Sequence, residues 1–100
     1  MSARLDVAEF QARAGQEFRM DLGGGQELRL ELAAVRDLGR RSDPAGELST
    51  YALVFRSPGE RRHAPQGTYR LTHAELGALD VFVVPIGPDS VGMRYEAVFN

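Results

Sequence analysis

A strict alternation of apolar and charged side chains, broken by three consecutive glycines, constrains this chain more than any other feature. Phe18, Met20 and Leu22 alternate with Arg19 and Asp21, and beyond Gly23, Gly24 and Gly25 the pattern resumes as Leu28, Leu30 and Leu32 against Arg29 and Glu31. A period of two puts one set on a buried face and the other in water, so the two segments are strands of a hairpin with one core-facing side. Keeping the apolar faces together leaves a three-residue or a five-residue loop. The shorter sets Arg19 opposite Arg29; the longer sets Arg19 opposite Glu31 and Phe18 opposite Leu32, and charge pairing favours the longer.

Ahead of the hairpin, Leu5, Asp6, Val7, Ala8, Glu9 and Phe10 read as a helix start. Asp6 is the N-cap, Glu9 completes a capping box and Leu5 is placed to staple onto Phe10. The helix is expected from Val7 to Ala14, ending at Gly15. Two turns are too few to stand alone, so it must dock, most simply as a plug over an open barrel end that buries Leu5, Val7 and Phe10.

Downstream of the hairpin, the second strand is expected to run to Val35. Residues Gly39 to Gly46 are polar and rich in turn formers, and read as an exposed loop. Leu48 to Arg56 is apolar on both faces, as in a strand covered on two sides or lying in an oligomer contact. Ser57 to Gln66 is a second polar loop. A turn at about His73 to Gly77 pairs Leu71 with Leu79 and Tyr69 with Val81, and sets Arg70 opposite Asp80. Pro85 suggests an edge or a bulge. Met93, Tyr95, Ala97 and Phe99 form the inward side of a last strand.

These elements predict one all-β domain over residues 1–100: an antiparallel meander of about six strands, curled into a small barrel or sandwich, with one short N-terminal helix. With 100 residues, 43% of them hydrophobic, the chain can build one core. The formal charge of −2 gives no general attraction to nucleic acid. No membrane span or leader-like apolar run is present, which sets a cytoplasmic default with extracellular assembly as the other option.

Chemistry-bearing patterns are sparse. There is no cysteine, and His63 and His73 belong to no ligand spacing, so both read as surface residues and no metal or cofactor is expected. Glu27, Glu31 and Glu96 fall on polar faces. Gly23 to Gly25 joins two strands and lacks the lysine of a phosphate loop. Arg40–Arg41 and Arg61–Arg62 lie at opposite ends of one strand, too far apart to grip a single phosphate. Tyr51, Phe55, Tyr69, Phe82, Tyr95 and Phe99 are first of all core candidates. No serine sits in a nucleophile elbow, and an enzyme using Glu96, Asp80 or His73 in a loop cleft is the least favoured reading.

The segments Pro65-Gln66-Gly67-Thr68-Tyr69-Arg70-Leu71 and Gly92-Met93-Arg94-Tyr95-Glu96-Ala97-Val98-Phe99-Asn100 resemble an uncharacterised family of small bacterial proteins, a domain of unknown function of this length. That resemblance assigns no catalytic residue. It implies genetic neighbours with phage-tail-collar domains, and hence a role in building an extracellular fibre or a phage-tail-like assembly. Together with the two-sided apolar strands, it points to a structural or protein-interaction module that binds a protein partner or itself. The expected surface is Tyr51, Leu53 and Phe55 with Phe82, Val84 and Ile86. A barrel binding a small apolar ligand, with Tyr51, Tyr69 and Tyr95 at its mouth, is the alternative.

Overall fold

In the computed structural model, residues 5–44 and 46–100 are described, so residues 1–4, with Arg4, and Ala45 of the expected exposed loop lie outside the described part. The elements are α1 (Val7–Gln11), β1 (Glu17–Gly23), β2 (Gln26–Asp43), β3 (Gly46–Pro58), β4 (Gly67–His73), β5 (Gly77–Pro88) and β6 (Gly92–Phe99). The six strands close into a barrel in the order β1-β2-β3-β6-β5-β4, every neighbouring pair antiparallel. It consists of two three-stranded meanders, β1–β3 and β4–β6, so the barrel alternative holds over the sandwich. One seam joins β3 to β6 over eight residue pairs, from Tyr51↔Phe99 to Pro58↔Gly92. The other joins β1 to β4 through Arg19↔Thr72 and Met20↔Leu71 only.

The β1–β2 register differs from expectation. Phe18 faces Leu30, not Leu32, and Arg19 faces Arg29. Gly24 and Gly25 both have positive φ, +62° and +82°, which allows a two-residue turn that other residues resist. Leu22 is extruded as a bulge between Asp21 and Gly23, which restores the even register above the turn. The arginines are neutralised off-axis: Glu17 lies 2.9 Å from Arg19 and 3.6 Å from Arg29, and Glu27 lies 3.8 Å from Arg19. Diagonal ion pairs thus replace the direct ones.

The same tripeptide, Asp-Leu-Gly, recurs at Asp37-Leu38-Gly39 and makes a second bulge of the same kind. In each, the aspartate accepts a hydrogen bond from the glycine N–H two residues on, at 2.8 Å in Asp21–Gly23 and 2.9 Å in Asp37–Gly39. In each, the leucine is thrust outward into solvent. Beyond this second bulge the expected loop is in fact a continuous ribbon. Arg40 pairs with Ser49, Arg41 with Leu48 and Ser42 with Glu47. Polarity there marks strands wet on both faces at their far ends, which composition alone does not distinguish from a loop.

The β4–β5 register is the expected one, with Leu71↔Leu79, Tyr69↔Val81 and Arg70↔Asp80. A bulge follows Pro85. Inside, Phe18, Met20, Leu30, Leu32, Tyr51, Leu53, Phe55, Leu71, Val83 and Tyr95 are essentially inaccessible and fill the barrel. α1 is shorter than expected and does plug one end, with Val7 and Phe10 buried and Leu5 packed on the core. Its capping box does not form. Glu9 instead accepts from Arg13, four residues on, at 3.1 Å, and the Val7 N–H is capped from another element, by the Ser49 hydroxyl of β3 at 3.2 Å.

Candidate functional site

The residues expected to form one interaction surface fall on two sides of the wall. Tyr51, Leu53 and Phe55 point inward and are fully buried, because the odd positions of β3 face the barrel axis. Phe82 is 53% exposed and Ile86 38% exposed on the outer face of β5, with Val84 half-buried between them. Phe82 is therefore not a core aromatic. An apolar run with hydrophobes on both faces carries no phase that tells inside from outside. The outer apolar character of β3 is real but partly roofed: Arg36 of β2 reaches across β3 to within 3.9 Å of Glu96 on β6, over Ala52 and Val54.

The candidate catalytic groups are engaged in structure. His73 is buried, not on the surface. Its Nε2 lies 2.7 Å from the Gln16 side-chain oxygen, its Nδ1 accepts from the Glu75 and Leu76 N–H groups, and its ring packs on Phe18. It holds the β4–β5 turn against the barrel. Asp80 pairs with Arg70 at 3.3 Å and Glu96 with Arg36. Glu31 and Asp89 flank Arg56 at 2.9 and 2.7 Å. Asp89 also accepts from the N–H groups of Val91 and Gly92, and the Arg56 guanidinium with these two donors holds its carboxyl far below the usual carboxylate range. This cluster locks the β5–β6 turn to β3.

The three tyrosine hydroxyls are likewise bound to backbone. Tyr51 donates to the Leu5 carbonyl at 2.6 Å and Tyr69 to that of Pro65 at 2.5 Å, while Tyr95 accepts from the Ala64 N–H at 2.9 Å. Burial pushes the Tyr95 phenol up. Each hydroxyl staples a connecting segment to the barrel. Arg40–Arg41 and Arg61–Arg62 sit at opposite ends of β3 and do not converge. Among the described residues, no cluster of three or more histidine, aspartate or glutamate side chains is placed to hold a metal ion, and no helix is long and apolar enough to cross a membrane.

Two features of the described residues face outward. One is the ribbon made by the far ends of β2 and β3. Pairing of β1 with β2 ends at Glu31, and pairing of β6 with β3 ends at Tyr51, so among the described residues, 39–43 and 46–50 make strand pairs with each other and with no third strand. This ribbon was not legible as strand, and the second Asp-Leu-Gly was the available signal for it. It is braced near its root by α1: Asp6 lies 3.6 Å from Arg40, and the Ser49 hydroxyl, followed by the Ala8 N–H and then Arg40, holds the Asp6 carboxyl below its usual value. The second feature is a half-open groove of about 610 Å³ at the helix end, between the first half of β5 and the aromatic cluster of Phe10, Tyr51 and Phe99.

A small, side-chain-filled antiparallel barrel with a helical plug and a two-stranded projection is thus the class of protein. The chain belongs to a family described as a domain of unknown function (DUF6916), whose sequence profile matches residues 5–99. No curated protein and no solved structure matches it.

Proposed function

We propose that this protein is a non-catalytic interaction module that docks through its β2–β3 ribbon onto a protein partner or a second copy. The assembly envisaged is of the extracellular-fibre or phage-tail type that the family resemblance implies. The ribbon carries this reading. An isolated two-stranded ribbon is at best marginally stable in water, needing a third strand or a packed helix to persist. Among the described residues α1 braces its root, while Leu38 stands 50% exposed on it. Such a projection adds little to the barrel and is suited to lying against another surface. Less supports a hollow ligand-binding barrel, since core side chains fill the interior and the tyrosine hydroxyls are tied to backbone.

The test replaces residues 41–48 with Asn-Gly, which closes a tight turn on the Arg40–Ser49 pair and keeps the brace to α1. Light scattering over a wide concentration range, alone and with a collar-domain protein, should show association by the full-length chain and its loss in the shortened one, with the melting temperature retained. Equal association by both, or none by the full-length chain in either setting, overturns the proposal.

A further inference from the structure

The groove at the helix end runs along a strand edge. Ala78, Leu79, Asp80 and Val81 all line it. Side chains of a strand alternate between faces, so four successive residues border one groove only when it follows the strand's edge. The pairing agrees. Gly77–Val83 is matched to β4 on one side, whereas the ladder with β6 begins only at Val84↔Glu96. Among the described residues, this half of β5 makes no ladder pair on its second side. In an antiparallel sheet the N–H and C=O of a residue point the same way, so every second residue here presents both groups to the groove.

We infer that this edge accepts an extended segment of a partner protein, added as a strand along the unpaired side of β5 at residues 77–83. A row of backbone donors and acceptors at strand spacing is matched by another extended polypeptide, whereas a compact ligand matches one or two of them. The open run spans about 20 Å at ~3.3 Å per residue, room for an ordinary strand. Its two walls set the partner's pattern. Side chains turned inward meet Phe10, Leu76 and Leu79, and those turned outward meet the exposed Arg70–Asp80 pair. The segment is therefore one that alternates apolar residues with charged ones. This inference names a partner chemistry within the interaction role proposed above, and rests on that role, but it uses a different surface from the ribbon.

The test uses the full chain and synthetic eight-residue peptides alternating valine with arginine, glutamate or threonine. Each peptide is paired with two versions N-methylated at alternate positions, one in each phase. N-methylation leaves the side chains and removes backbone donors. Amide hydrogen exchange followed by NMR should show new protection at alternate residues of 77–83, and one methylated phase should weaken binding by about tenfold or more, the loss of two or more hydrogen bonds. Equal binding by all three versions would mean an apolar groove without strand addition and overturn the inference. So would no protection at millimolar peptide, or protection that rises with protein concentration alone, which would assign the edge to a second copy. Because the 41–48 replacement leaves β5 intact, β5 protection in that variant is read independently of whether the ribbon drives assembly.

Discussion

At Gly92 the backbone of β6 passes so close to β3 that a Cβ built there would lie 1.9 Å from the carbonyl oxygen of Ser57. The approach is held from both sides, because Gly59 N–H donates to the Val91 carbonyl and Met93 N–H to that of Glu60. Neither strand can retreat without breaking these bonds. Gly92→Ala is expected to destabilise the fold by about 3 kcal/mol or more. Gly67→Ala, where the nearest atom to the new methyl is a Tyr69 ring carbon at 3.8 Å, should fall within ~0.5 kcal/mol of the parent in the same denaturant titration.

The Arg56–Asp89 lock makes a pH prediction. The folded-state pKa of Asp89 lies below its ordinary value of 3.8, so its contribution is fully present above that value and fades as pH falls toward the folded one. Asp89→Asn should lower the melting temperature at neutral pH and flatten its fall in acid. Both side chains of the pair are about a quarter exposed, at 24% and 27%, so added salt should narrow the difference between parent and variant. Parallel acid melting curves for the two proteins would refute the assignment.

Phe10 is the plug's main anchor, 2% exposed and within 5.6 Å of the Tyr51 ring. Phe10→Ala should cost about 3–5 kcal/mol. The loss should appear as fast hydrogen exchange in α1 before the strands exchange.

The β1–β2 turn gives a test of backbone sign. Gly24→Asn should be nearly neutral, since asparagine tolerates positive φ, whereas Gly24→Val should cost about 1–2 kcal/mol. Equilibrium unfolding of the two variants decides it.

How far the sequence reveals this fold depends on which signals coincide. In β4–β5 the apolar alternation and the Arg70–Asp80 pair select one register, and the structure has it. In β1–β2 they conflict with a glycine turn able to close on two residues, and the bulge at Leu22 absorbs the odd residue. Charge pairing misled there because arginine reaches diagonal partners as readily as direct ones. Residues 39–46 read as a loop because a ribbon wet on both faces has a loop's composition. Half of the expected surface, Tyr51, Leu53 and Phe55, went to the core for want of a phase in an all-apolar run. The free edge of β5 could not be read at all, since it depends on where β6 diverges from β5.

The uneven seams of the barrel also bear on how it comes together and loosens. Each meander needs only short-range pairings, while sealing β1 to β4 joins residues more than fifty positions apart for two paired positions in return. That junction is expected to be the last to knit during folding and the first to breathe in the native state. The molecule behaves as a rolled strip with a firm spine at β3–β6 and a lightly fastened hem at β1–β4.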